Sequence, residues 1–171
     1  MARAKFVADA GFLSAIRRGD GTDLKQATAE GMGDDAALPE LASRELAERI
    51  AALAWEKKAE DVRVMRVREL VQYTDWFVVM SATSDRHAAA LSQHIERSLR
   101  TDEHEKPMAI EGAEQNQWVV MDYSDVVVHI FYEPVRAYYE LERLWNEAPR
   151  LELTPPDLAP SAAPGSGDGP G

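Results

Sequence analysis

A chain of 171 residues with 45% hydrophobic residues is long enough for one domain with tails and apolar enough to bury a core. Its net charge of -11 disfavours general attraction to a phosphate backbone, which rests on Lys and Arg neutralising phosphates, and suits a basic protein partner. The absence of Cys excludes disulfide frameworks, thiolate zinc sites and Cys nucleophiles, while a mean hydropathy of -0.38 and the lack of a long apolar run exclude a membrane span.

Residues 1–38 read as an N-terminal extension, poorly ordered or partly helical. Phe6, Val7, Phe12, Leu13 and Ile16 can line one side of a short helix, but Gly11, Gly19, Gly21, Gly31 and Gly33 break any longer periodicity. The extension carries positive charges without the uninterrupted apolar core of a secretory signal, so a cytoplasmic protein is expected. Residues 39–153 form the expected folded domain. Ser43 suits an N-cap, and Leu46, Ile50, Leu53 and Ala54 recur at helical spacing up to Lys57 and Lys58, whose charge favours a helix end. Strands are expected at 62–67 and 76–80, the second a continuous apolar run of the kind buried on both faces. A second helix follows over 85–100, capped by Thr83 or Ser84, with Ala88, Leu91, Ile95 and Leu99 on one face.

Three more strands are expected at 107–110, 118–123 and 126–132 without helices between them. Pro134 then opens a last helix whose apolar stripe is Val135, Tyr138, Leu141 and Trp145, and Pro149 ends it. The interleaving predicts an α/β fold with a mixed five-stranded sheet flanked by helices. Residues 154–171, rich in Pro, Gly, Ala and Ser, are expected to be a disordered tail.

The stretch Glu111 to Phe131, EGAEQNQWVVMDYSDVVVHIF, concentrates the candidate chemistry. Asp122 and Asp125 flank a turn, where two carboxylates can hold a divalent metal or work as an acid–base pair; Asp is also a common turn residue because its side chain bonds nearby backbone, and that reading is preferred. Trp118 and Tyr123 lie five apart, so strand alternation puts them on opposite faces. One would be core and the other an exposed anchor, unless the strand end brings both to the edge or both pack under the last helix. Ser81 to Ser84, between a strand and a helix, can hold phosphate at the helix N-terminus, but the missing Gly favours plain capping. The four histidines lack zinc-ligand spacing, and His129, inside an apolar strand, reads as a structural hydrogen-bonding residue. No cofactor, metal or catalytic residue is expected.

The segments LAERIAALAWEKKAEDVRVMRV, TDWFVVMSATSDRH, EGAEQNQWVVMDYSDVVVHIF and YYELERLWNEAPRLEL, in this order, resemble the ribosomal silencing factor family, also called RsfS or Iojap, from Leu46 to Leu153. The resemblance implies a nucleotidyltransferase-like fold without the catalytic acids. It implies a non-enzymatic translation repressor that binds the fourteenth protein of the large ribosomal subunit, a basic protein on the face meeting the small subunit, and blocks subunit joining when nutrients are scarce. Partner binding would fall to Trp118 and Tyr123 with the neighbouring acids Asp122 and Asp125. No membrane and no sequence-specific nucleic acid is implied, and family members can pair as homodimers. This chain departs from the family pattern in having Ser124 and Ala82 where Gly is common; a left-handed turn is less comfortable at Ser124, and Ala82 further weakens the phosphate reading. The alternatives are a large-subunit assembly factor and a residual nucleotidyltransferase.

Overall fold

The computed structural model describes residues 37–156; most of the expected N-terminal extension and C-terminal tail lies outside the described residues. Helix α1 (Ala37–Glu56) leads into β1 (Glu60–Arg66) and β2 (Trp76–Ala82). Helix α2 (Asp85–Ser98) follows, extended by a π-helical turn at Leu99–Glu103. Then come β3 (Ala109–Glu111), β4 (Trp118–Asp122), β5 (Val126–Tyr132), the short helices α3 (Glu133–Tyr139) and α4 (Leu141–Leu144), and β6 (Arg150–Leu151).

The sheet is mixed, with strand order β3-β4-β5-β2-β1-β6. Only β2 and β5 run parallel; every other neighbouring pair is antiparallel. The expected five strands are therefore six. The extra one is two residues long and forms only because Leu151 and Arg150 find the open edge of β1 at Val64 and Met65, a pairing that leaves no local pattern in the sequence.

Every residue of β2 is buried, as its unbroken apolar run requires of a central strand. One face of the sheet packs Val78, Met80, Val119, Met121 and Val128 against Ile50 and Leu53 of α1 and Leu91 and Ile95 of α2. On the other face Met65, Phe77, Trp118 and Phe131 pack with Leu141 and with partly buried Tyr73, Tyr139 and Trp145. Two long helices thus cover one face, and the 67–75 loop with two short helices covers the other. At the β3–β4 connection Gly112 has φ 77°, and a Cβ there would stand 2.1 Å from the Trp118 carbonyl oxygen, so no other residue fits without moving the strand.

Two local expectations need correction and a third is resolved. Ser43 is buried within α1 and not at its start, because the helix runs six residues further upstream than its apolar periodicity indicates. Ser84, of the two proposed caps, accepts the His87 N–H at 3.0 Å. The last helix is not continuous: Glu140, at φ 45°, breaks it into α3 and α4. The break turns the stripe, so that Leu141 is buried while Tyr138 is 81% exposed.

Candidate functional site

The sheet has two chemically different ends. One carries the β4–β5 turn, the start of β3 and the 67–75 loop, and is called the turn end. The other carries the start of β1, the ends of β2 and β5 and the start of α3, and is called the crevice end.

At the turn end Tyr123, Ser124 and Asp125 reverse the chain. The Asp125 N–H donates to the Tyr123 carbonyl at 2.9 Å and the Tyr123 N–H to the Val126 carbonyl at 2.9 Å. Ser124 sits at φ 71°, the conformation for which Gly is the usual residue, and its N–H donates to Asp122 Oδ1 at 2.8 Å. Asp122 therefore does what the turn reading expects of it, bonding the backbone of a left-handed residue. Ser124→Gly should relieve this backbone and raise the unfolding free energy by about 0.5–1 kcal/mol; a urea titration showing no gain would mean that the Asp122 bond already removes the strain.

The Asp125 carbonyl accepts from the Asp75 and Trp76 N–H groups, both at 3.0 Å, and the Asp122 carbonyl accepts from Met108 N–H at 2.7 Å. These bonds tie the turn to β2 on one side and to β3 on the other. Asp122 and Asp125 are half-buried, and Met108 beside them is 72% exposed. The end thus presents carboxylates and one flexible apolar side chain on a fixed backbone.

Trp118 and Tyr123 do not join that surface. They lie on opposite faces, as alternation requires, but Trp118 is 1% exposed and Tyr123 5%, so neither is an exposed anchor. Trp118 stacks on Phe131 at 4.8 Å between ring centroids and meets Tyr139 of α3 at 5.1 Å. Its indole N–H donates to His129 Nδ1 at 3.1 Å, which gives His129 the structural role its sequence setting suggests. Tyr123 packs into the opposite cluster with Leu91, Ile95 and Leu99; burial pushes its phenol above the ordinary range, and Glu96 adds to the effect. The sheet end does not rescue either ring, because β3 and the turn bonds continue the layer past both.

The crevice end holds a residue that no sequence pattern singles out. Arg136 on α3 is 7% exposed. Its Nη1 donates to Ser81 Oγ and to the Asp61 carbonyl, both at 2.8 Å, its Nε donates to Glu142 Oε1 at 3.0 Å, and its Nη2 binds Glu142 and lies 3.2 Å from Asp61 Oδ2. A cavity of about 620 Å³ opens over this cluster, with Glu60, Arg63, Glu133 and Arg150 on its walls. Burial alone would raise the Asp61 carboxyl, but hydrogen bonding from Arg63 and the charge of Arg136 hold it below its usual value.

In α/β sheets ligands bind outside the carboxyl ends of neighbouring parallel strands whose helices leave to opposite faces, and β2 and β5 form such a place. Here the protein's own guanidinium occupies it. The phosphate reading of Ser81 to Ser84 loses its donors in the same way: Ser81 binds Arg136, Ser84 caps α2, and the Thr83 N–H donates to His87 Nδ1 at 3.0 Å. His87 in turn binds the Lys57 carbonyl through Nε2 at 2.7 Å, linking the end of α1 to the start of α2. Among the described residues no three His, Asp or Glu side chains are grouped so as to hold a metal ion, and no helix is long and apolar enough to cross a membrane.

Comparison with known proteins gives a consistent result. The family model described as "Ribosomal silencing factor during starvation" matches residues 40–167. A protein named ribosomal silencing factor RsfS from Halalkalibacterium halodurans is 32% identical over 113 residues, 66% of this chain and 96% of its own length. The mouse protein named mitochondrial assembly of ribosomal large subunit protein 1 is 32% identical over 102 residues, covering 57% of this chain and 43% of its own. Among solved structures, one from Bacillus halodurans, 32% identical, superposes with a TM-score of 0.54 over 67% of this chain and 99% of its own.

Proposed function

Because the chain belongs to the ribosomal silencing factor family, we propose that it docks on the large ribosomal subunit through a basic ribosomal protein at the subunit interface and prevents the small subunit from joining, above all when nutrients are limiting. The match over residues 40–167 carries this reading. The docking surface is assigned to the turn end. Asp122 and Asp125 provide half-buried carboxylates for a basic partner, Met108 provides exposed apolar contact, and Trp118 and Tyr123 support the surface from beneath. Opposite potentials across such a contact speed encounter and fix its register. The partner is the fourteenth protein of the large subunit, and the work is done in the cytoplasm, where ribosomes are.

The mode of action is binding, without catalysis. Asp122 spends Oδ1 on the Ser124 N–H, and at the crevice end the Arg136 guanidinium neutralises Asp61 and Glu142, which supports a binding role.

Co-sedimentation with isolated large subunits tests the site. Asp122→Asn keeps an acceptor for Ser124 N–H while removing the charge, so Asp122→Asn/Asp125→Asn should fold normally. Two partner-facing charges at about 0.5–1 kcal/mol each predict roughly tenfold weaker binding at low salt. Undiminished binding would move the docking surface elsewhere. Truncating Trp118 is a poor substitute, since an emptied core site costs about 3–5 kcal/mol of stability.

The name of the mouse relative favours a second reading, a role in large-subunit assembly. Sedimentation profiles of a deletion strain separate the two: immature large particles indicate assembly, whereas mature subunits that join too readily in starved cells indicate silencing.

A further inference from the structure

Helix α2 turns Ala88, Leu91, Ser92 and Ile95 inward. At about 3.6 residues per turn the positions opposite them are Arg86, Ala90, Gln93 and Arg97, and all four are exposed. This outward crest contains two guanidiniums and no carboxylate. The acids on its flanks already have partners: Asp85 Oδ1 accepts the Arg86 N–H at 2.7 Å, Glu96 binds Arg100, and Glu56 of α1 bonds His94 at 2.8 Å. Lys57 belongs to the same surface, because its carbonyl bonds His87 Nε2 at 2.7 Å, in the helical turn that carries Arg86. Among the described residues no carboxylate pairs with Lys57, Arg86 or Arg97. Glu60, the next acid after Lys57, stands with Glu133 and Arg136 on the walls of the crevice and so belongs to the other side of the sheet.

A chain of net charge -11 thus carries unopposed positive charge on the outside of one helix. What the crest lacks says what it fits. A protein interface is anchored by apolar or aromatic side chains, and a helix lying on a membrane needs an apolar face. The exposed large apolar residues of the described domain are Leu70, Met108, Tyr138 and Leu144, none of them on α1 or α2. A phosphate backbone needs only cations within reach, and guanidinium is the cation best shaped for phosphate oxygens. Arg86 and Arg97 stand about 16 Å apart along the helix axis, too far to share one phosphate. The short Ala90 side chain between them lets a backbone approach closely.

We propose that the crest of α2, Arg86 and Arg97 with Lys57 beside them, lies on a ribosomal RNA backbone when the protein is docked on the large subunit. The contact rests on the large-subunit reading, and not on the assignment of the turn end. It is independent of RNA sequence. The negative charge of the whole chain keeps it too weak to hold free RNA, so it forms where docking has already brought the helix to the RNA.

Lys57→Gln/Arg86→Gln/Arg97→Gln removes the three charges from exposed positions and should fold as the wild type does. Co-sedimentation with isolated large subunits, measured from about 50 to 200 mM salt, should show the slope of log affinity against log salt reduced by about 2–3 and binding at the lowest salt weakened at least about tenfold. An unchanged slope would overturn the proposal.

The second measurement identifies what the crest touches. Because the chain has no Cys, Gln93→Cys places one thiol on the crest for an iron chelate that cuts nearby nucleic acid through hydroxyl radicals. Cuts confined to one segment of the large-subunit RNA, at least about tenfold stronger than those from a chelate on Tyr138→Cys of α3, are expected. A labelled protein that co-sediments and cuts no RNA, or cuts equally from both positions, would overturn the proposal; a protein covering the crest would give the first of these results. Failure of the unlabelled wild type to co-sediment at all would overturn the large-subunit reading and the proposal with it.

Discussion

Arg136→Met is expected to lower the unfolding free energy by about 3–5 kcal/mol, the cost typical of removing one partner from a buried ion cluster. The side chain joins three parts of the chain: the bulged start of β1 at Asp61, the end of β2 at Ser81, and Glu142 on α4. Without it Glu142 keeps its charge in a half-buried site and Ser81 loses its donor. Asp61, held at φ 43°, loses the bond to its carbonyl. A domain of this size has about 5–15 kcal/mol to lose, so the variant should be marginal at 37 °C. Urea denaturation measures the effect. Adding Glu142→Leu should recover part of the loss, because the stranded carboxylate is then gone. A loss under about 1 kcal/mol from Arg136→Met would mean that the helices hold the crevice closed by packing alone.

The second large effect is acid sensitivity. Burial drives the His129 imidazole from its usual 6.5 down to about 3. Protonation would also place a hydrogen on Nδ1, which accepts from the Trp118 indole, setting two donors against each other between aromatic rings. The unfolded chain therefore binds a proton between about pH 6.5 and 3 that the folded chain refuses. Stability is complete above pH 6.5 and falls as the pH drops through that window, by up to about 1.4 kcal/mol per unit, or about 2.5 kcal/mol by pH 4.5. The depressed Asp61 carboxyl acts in the same direction only at lower pH, where unfolded carboxylates take up protons. Unfolding titrations from pH 7.5 to 4.5 check the slope. His129→Gln should flatten it even if the variant is less stable at every pH, and an equally steep slope would place the titrating group elsewhere.

Much of the architecture was legible because each pattern had one physical solution. The apolar run of β2 could only be a strand covered on both faces, and the spacing of Ala88, Leu91, Ile95 and Leu99 could only be a helix with one buried side. The turn chemistry of Asp122 followed from the short reach of its side chain. The exposure of Trp118 and Tyr123 could not be read in the same way. Alternation separates two faces, but whether a face is solvent depends on what covers it, and here α2 covers one and the broken α3–α4 pair the other.

The sequence by itself determined the order of the first two helices and first five strands and the charge of the protein, since these rest on composition and short-range periodicity, and it carried the family resemblance in four motif segments. Only the tertiary structure decided that Trp118 and Tyr123 are core, that Tyr138 and Met108 are surface, and that β6 exists at all. It also decided that Arg136, separated from Asp61 and Ser81 by 75 and 55 positions, fills the crevice between β2 and β5. Those outcomes depend on contacts between distant segments, and local spacing carries no information about which partner a side chain meets once the sheet has closed over it.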